Sequence, residues 1–330
     1  MSITHSNISI FVPHIGCPNM CSFCNQRHIT GQKTAPKKQD VIDAVNIAIA
    51  SPKYDPQTTE IAFFGGSFTA INRNYMLRLL KAAYQFVEKG VVTGIRISTR
   101  PDAIDDEILS LLKEYGVTSI ELGAQSLNDK VLLLNNRGHN AYDVVRASKL
   151  IKEHGFSLGL QMMTGLYGDC DEHSIDTAKK IISLKPDTVR IYPTIVLKNT
   201  DLAALCIDKK YKPQTLDSAV ELCAELLLMF YEADIRVIRL GLHSIENDSY
   251  IDGPWHPAFS ELCYSKIYLK NAKKLLTESG NYTLFVKPSA VSKMIGQRRD
   301  NINELKNLGF DCVVKSDDSL SEYEIKVERR

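Results

Sequence analysis

Residues 14–31 read HIGCPNMCSFCNQRHITG, with Cys17, Cys21 and Cys24 inside eight residues and no fourth cysteine nearby. The stretch before it, NISIFV (7–12), is short and apolar, which predicts a strand, so the thiols sit on the loop that leaves a first strand. Similar apolar runs recur to about residue 245, each followed by a stretch with helical spacing. EIAFF (60–64) ends at Gly65-Gly66 and precedes a stripe of Tyr75, Met76, Leu79, Leu80, Ala83, Phe86 and Val87. GIRIS (94–98) precedes a helix that Asp105 caps, and SIELG (119–123) precedes one over 141–154, capped by Asn140 and stopped by Gly155. SLGLQMM (157–163) precedes a helix over 172–184, TVRIYP (188–193) one over 216–232, and RVIRLGL (236–242) reads as one more strand.

Strands this apolar, alternating with helices, predict a parallel sheet covered by helices. The fold class is α/β, and six or seven such units suit a partial (β/α)6-type parallel barrel. In barrels the chemistry sits on the loops after the strands' C-terminal ends. The three cysteines, Gly65-Gly66, Ser98-Thr99-Arg100, Gln125 and Gln161 all fall at or near such ends.

With 330 residues the chain has room for one large domain and a small one. Its 40 basic and 39 acidic residues leave a net charge of +1, which excludes a global field that recruits nucleic acid or membrane, so any basic surface is local. The N-terminus lacks the charged start and apolar run of a signal peptide, and no apolar run nears the ~20 residues needed to span a bilayer. A cytoplasmic location and no membrane partner are expected. In a reducing compartment a tight cysteine cluster points to metal or redox chemistry. The scattered Cys170, Cys206, Cys223, Cys263 and Cys312 are expected as buried small hydrophobes.

Three thiolates on one loop have two chemical readings. A [4Fe-4S] cluster has four irons that each usually take a thiolate, so three cysteines leave one iron open to another ligand. Cys17, Cys21, Cys24 and His28 also spell a Cys3His zinc site, which would be closed and structural.

The spacing Cys-x3-Cys-x2-Cys, with Phe23 before the last cysteine, resembles the radical S-adenosylmethionine (SAM) superfamily. The resemblance implies that SAM chelates the open iron and is reductively cleaved to a 5′-deoxyadenosyl radical, which takes a hydrogen atom from the substrate. It also implies that Gly65 and Gly66, in FFGGSFT, hold the methionyl amino group, although Ser67 stands where many members carry glutamate. Gln125 and Arg137, in GAQSLNDKVLLLNNRGH, resemble residues that contact the ribose and the methionyl carboxylate in the anaerobic coproporphyrinogen oxidase branch. Gln161 lies where that branch has an aspartate on the ribose, and Ser98 replaces an acidic residue.

FVPHIGCPNMCSFCNQ, FFGGSFTAI, STRPD and GPWHPAFSELCYS together resemble the radical domain of the Elongator catalytic subunit family over residues 7–265. The family's acetyltransferase domain has no counterpart in this sequence. The resemblance implies RNA or tRNA modification, with a ferredoxin or flavodoxin as electron donor. Trp255 and His256 either border the substrate or pack a Pro-rich loop, and Cys170 and Tyr192 are the candidates for a second hydrogen donor. A radical enzyme acting on a porphyrin-like small molecule and a zinc-bearing RNA-binding protein are the alternative functions.

The expected domains are 1–245 for the partial barrel, 246–279 for a connecting loop and helix, and 280–330 for a small α+β unit. The last reads as strand, helix, helix, strand, strand, which resembles a KH domain. Such domains grip single-stranded nucleic acid at a GxxG loop. Here Gly296 is the first glycine, Arg299 replaces the second, and Arg298 and Arg299 are the candidate phosphate contacts. Nine basic against eight acidic residues over 282–330 give this unit no strong charge of its own.

Overall fold

The computed structural model describes residues 6–12, 20–24, 35–242 and 249–330, so Cys17 and His28 lie outside the described residues. From the N-terminus run β1 (Ser6–Val12), α1 (Lys38–Ile49), β2 (Thr59–Gly65), α2 (Arg73–Glu88), β3 (Ile95–Thr99), α3 (Asp106–Glu114) and β4 (Val117–Gln125). Then come α4 (Asp129–Leu134), α5 (Ala141–Glu153), β5 (Ser157–Thr164), α6 (Asp171–Ser183), β6 (Thr188–Pro193) and β7 (Val196–Leu197). The barrel unit closes with α7 (Asp201–Ile207), α8 (Leu216–Glu232), β8 (Arg236–Leu240), β9 (Tyr250–Asp252) and α9 (Phe259–Leu275).

Seven strands form one parallel sheet in the order β1-β2-β3-β4-β5-β6-β8. The order never reverses. Right-handed crossovers wound in one direction put every helix on the same side, so the sheet curls into a half-barrel, with helices outside and a concave inner face. The caps read from sequence form: Asp105 accepts from the Ile108 N–H at 2.8 Å, and Asn140 from the Asp143 N–H at 3.0 Å.

Alternate strand residues go to opposite faces. Ile61, Phe63, Ile95, Ile97, Ile120, Leu122, Leu158, Leu160, Val189 and Ile191 belong to the buried apolar core shared with Met76, Leu79, Leu80, Ile151, Ile181 and Leu226 of the helices. The intervening positions are mixed, with Ala62 and Phe64 of β2 beside charged residues. Glu60, Arg96, Glu121 and Arg190 are the charged ones and pair with one another, so the inner face carries charge where uniformly apolar strands were expected.

Beyond α9, β10 (Gly280–Val286), α10 (Val291–Ile295), α11 (Asp300–Asn307), β11 (Phe310–Ser316) and β12 (Lys326–Arg329) follow in the expected order. The three strands make a sheet with β10 central, parallel to β11 and antiparallel to β12. Leu284, Val286, Met294, Ile302 and Leu305 continue the same apolar core as Ile267 and Tyr268 of α9. Of the scattered cysteines, Cys223, Cys263 and Cys312 are buried as expected, and burial pushes the thiol pKa of Cys223 up to about 12 and that of Cys312 to about 11. Cys206 is half-buried and Cys170 is exposed, at the start of α6, because that position faces out of the loop. Among the described residues no helix is long and apolar enough to cross a membrane.

One buried amide joins the C-terminal unit to α9. Asn301 Nδ2 donates to the carbonyls of Ser265, Lys293 and Met294 at 3.0, 3.2 and 3.1 Å. Removing a partner from buried carbonyls costs about 1–3 kcal/mol, so Asn301→Ala is expected to lower unfolding stability by about that much in a urea titration. An unchanged midpoint would show that the joint does not depend on this amide.

Candidate functional site

The cysteine loop is tied down at its centre. Ser22 N–H donates to the Asn135 carbonyl at 3.2 Å and Ser22 Oγ to Asn135 Oδ1 at 2.7 Å, while the Leu202 N–H donates to the Ser22 carbonyl at 2.8 Å. Asn135 is fully buried, and its Nδ2 donates in turn to the carbonyls of Val131 and Tyr167 at 2.8 and 2.9 Å. Phe23 packs against the cluster of Val196, Leu202, Ala203 and Tyr211. The Cys24 N–H donates to the Cys21 carbonyl at 3.0 Å, closing a tight turn between the two thiols. Cys21 and Cys24 are both half-buried.

Neither α4 nor α7, which supply these contacts, was read from sequence. Each is six or seven residues long, too short for helical periodicity to register. Their signal is in the caps: Asn128 accepts from Lys130 and Val131 N–H groups, and Thr200 from that of Ala203.

Arg137, just after α4, reaches the loop. Its Nη1 lies 3.1 Å from Cys21 Sγ and its Nη2 donates to the Gly123 carbonyl of β4 at 2.6 Å. The guanidinium therefore places a positive charge directly beside the sulfur. Arg137 Nε is buried without a hydrogen-bond partner among the described residues, an orphaned donor of the kind a ligand satisfies. Arg100, forked onto Asp102 at 2.7 Å, donates to the Arg137 carbonyl at 3.0 Å and holds that backbone. His139 beside it is buried, and desolvation with the Arg137 charge brings its pKa down to about 4, so at neutral pH its ring adds no competing positive charge.

Gly65, at the end of β2, has φ +112°, and a Cβ there would stand 2.4 Å from the Val12 carbonyl oxygen. No side chain fits, which leaves the backbone bare. The Gly66 N–H donates to the same Val12 carbonyl at 2.9 Å, fixing the Gly-Gly turn against the end of β1. Ser67 is committed elsewhere: its Oγ is 2.9 Å from Thr99 Oγ1 and accepts from the Arg100 N–H at 3.0 Å. Gln125, at the end of β4, takes φ +66°, and its Oε1 accepts from Gln161 Nε2 of β5 at 3.2 Å.

The predicted residues therefore form two linked groups. Gln125 and Gln161 touch each other, and Arg137 joins Cys21 to β4 at Gly123, beside the bulge that leads to Gln125. Gly65 and Gly66 sit on the end of β1, the strand before the cysteine loop. Among the described residues no third His, Cys, Asp or Glu joins Cys21 and Cys24. The donor set fits the group that the sequence implies: two thiols on a clamped turn, a cation beside one of them, an orphaned guanidine N–H and a side-chain-free Gly-Gly turn.

Sequence reasoning missed the inner-face charges. Arg96 bridges Glu60 (Nε to Oε2, 3.0 Å) and Glu121 (Nη1 to Oε1, 3.2 Å), and Arg190 Nη2 donates to Glu121 Oε1 at 2.8 Å. Their signal was a single charge in each of EIAFF, GIRIS, SIELG and TVRIYP, beside the apolar residues that face the core. Tyr192 shares this face, 3.5 Å from Arg190 Nη1. His256 Nδ1 accepts from the Ala258 N–H at 3.0 Å, which fits the reading of a packed loop.

In the C-terminal unit, Gly296 has φ +81°, and a Cβ there would meet the Asn301 backbone nitrogen at 2.9 Å. Arg298 and Arg299, both exposed, follow with φ +51° and +67°. Lys287 and Lys293, the nearest lysines in sequence, instead pair with Glu322 at 3.5 and 3.4 Å.

Comparison with known proteins agrees with this layout. The Radical SAM superfamily profile matches residues 11–181 and the Radical_SAM C-terminal domain profile matches residues 186–269. The chain is 25% identical to the tRNA uridine(34) acetyltransferase of Dehalococcoides mccartyi (strain CBDB1), covering 70% of this chain and 58% of that protein. It is 30% identical to human Elongator complex protein 3 over 52% of this chain and 35% of that one. The chain thus spans little more than half, or less, of these relatives. The solved structure of Methanocaldococcus infernus Elp3 with an N-terminal deletion (1–46) superposes with TM-score 0.66 at 22% identity, covering 83% of this chain and 65% of that one, so the fold is shared. With the superfamily profile matched over more than half of its length, the chain belongs to the radical SAM superfamily of enzymes.

Proposed function

We propose that the chain cleaves SAM reductively at a [4Fe-4S] cluster and uses the resulting radical to modify an RNA, with tRNA the first substrate to test. The observation that carries this reading is the clamped Cys21–Cys24 turn with Arg137 at 3.1 Å from Cys21 Sγ, at the C-terminal rim of a parallel half-barrel. Cys17, Cys21 and Cys24 would hold the cluster, and Gly65, Gly66, Gln125, Arg137 and Gln161 would line SAM. When bound and reduced, the pair supplies one-electron cleavage of the sulfonium to a 5′-deoxyadenosyl radical for hydrogen abstraction. A low-potential ferredoxin or flavodoxin would provide the electron.

The chain's own residues have defined tasks in this scheme. Asn135 and Leu202 fix the cysteine turn, which limits reorganisation around the metal site. Arg137 supplies positive charge beside Cys21, and its Nε, without a partner among the described residues, is placed to meet a carboxylate. Gly65 leaves a bare backbone for close approach of the methionyl group. Support for RNA comes from the tRNA-modifying relatives and from the exposed Arg298 and Arg299 on the Gly296 loop.

Protein reconstituted without oxygen is expected to hold about four irons per chain, with a reduced EPR signal that shifts on adding SAM. Cys21→Ala should lose both. Zinc in place of iron, with no signal after reconstitution, would overturn the radical reading. Arg137→Gln is expected to keep most of the iron but to weaken the SAM-induced shift about tenfold, as loss of a charge-assisted pair of about 1.5–3 kcal/mol requires. The double variant Arg298→Gln, Arg299→Gln should weaken tRNA binding and reduce the slope of log K against log salt by about 2. An unchanged slope would remove the RNA role of this loop.

A further inference from the structure

Among the described residues, the charged ladder on the inner face sets three arginines against two glutamates. Glu60 and Glu121 are its carboxylates, and Arg96 and Arg190 satisfy them. Arg239 of β8 is a third guanidinium on the same face. It stands opposite Arg190 in the β6–β8 ladder, while the next residue, Leu240, stands opposite core Ile191. Arg239 Nε donates to the Gly241 carbonyl at 3.1 Å, and no described carboxylate pairs with its guanidinium.

Two guanidiniums on adjacent strands, only about 4.8 Å apart at the backbone, repel each other. Burial holds the Arg239 pKa below the ordinary arginine value, and Arg190 adds to that effect against the opposing influence of Tyr192. Such a charge is stabilised by an anion placed between or above the pair. The register says where that anion would lie. Gly123, Gln161, Arg190 and Arg239 form one row across β4, β5, β6 and β8. At one end of the row, the Gly123 carbonyl takes Arg137 and Gln161 meets Gln125, the residues assigned above to SAM. The guanidiniums continue that row, at the same height, to the last strand of the sheet.

We propose that Arg239, backed by Arg190, binds an oxyanion of the substrate, a phosphate or a carboxylate, on the inner face beside the SAM site. The proposal rests on the radical reading only for the place where substrate enters. Arginine suits the task because its planar fork offers two parallel donors to one oxyanion. Arg190 spends its Nη2 on Glu121, which holds it in place as a fixed charge behind Arg239.

The test is calorimetric titration of the full, anaerobically reconstituted chain at low ionic strength with inorganic phosphate and, separately, with acetate. Wild type is expected to bind at least one of them. Arg239→Gln should weaken that binding about tenfold or more, Arg239→Lys should restore part of it, and Arg236→Gln, at the opposite end of β8, should change nothing. Thermal unfolding of each variant separates lost binding from lost fold, and the lysine variant keeps the charge should the glutamine variant unfold. Preference for phosphate assigns the site to a phosphorylated substrate, and preference for acetate to a carboxylic acid. Failure of wild type to bind either ion, or equal binding by wild type and Arg239→Gln, overturns the proposal. So does displacement of the ion by saturating SAM, since the site would then belong to the SAM carboxylate. Arg239-dependent binding in a chain that assembles no cluster would leave this site standing while the radical reading fell.

Discussion

Glu121 is the interaction point on which the inner face depends. It is almost fully buried, and burying an acidic side chain is costly unless it is paired and hydrogen-bonded. Its two oxygens serve Arg96 from β3 and Arg190 from β6, and Arg96 reaches on to Glu60 of β2. One network thus crosses the half-barrel from its second strand to its sixth. Breaking such a buried set by deleting one member costs about 3–5 kcal/mol, although a well-packed apolar core could be as stable. Stability alone does not account for it. What charge provides and methyl groups do not is a polar, fixed lining for the space that the sheet encloses.

That lining and the cysteine turn are coupled by the sheet's single winding direction. Because every strand runs the same way, all the strand ends that break regular structure lie on one rim: the Gly-Gly turn, the bulge before Gln125, and the loop that carries Arg137. A bulge adds a residue on one strand and re-aims the next side chain. Between Gly123 and Gln125 it puts Gln125 in the left-handed region, where it meets Gln161. The cost of that backbone strain, about 1–3 kcal/mol, is borne at the place where ligand contacts were expected from sequence.

The parallel sheet and its helices were legible because their signals are long and periodic. The βα alternation, the caps Asp105 and Asn140, and the strand–helix–helix–strand–strand order after residue 280 all appear as read. The short α4 and α7 were not legible, since six or seven residues cannot show a period, yet they clamp the thiol turn. The residues that the sequence marks as site candidates stand at or near strand ends, as read, and several touch one another. Their partners were not legible: nothing local in sequence tells Arg137 to meet Cys21, 116 residues away. The charge ladder was written as one charge in each of four strands, but the expectation of strands buried on both faces hid it. A closed inner face can be buried and charged together when acids and bases are matched in register.

The C-terminal unit follows the same logic on a smaller scale. A tight link between two short helices needs left-handed backbone, and only Gly296 of its residues takes that without penalty. Arg298 and Arg299 also adopt it, at about 1–2 kcal/mol each for a side chain with a Cβ. Asn301, locked by three carbonyls, and the Arg299 N–H, which donates to the Gly296 carbonyl at 3.1 Å, over-determine the turn and hold it there. Because the neighbouring lysines are drawn to Glu322, the two arginines are the basic side chains left at the tip of this loop, with Asp300 beside them. The result is an exposed pair of basic side chains on a base that hydrogen bonds hold in place. A pair of charges preorganised in this way loses less entropy on any contact than a flexible one.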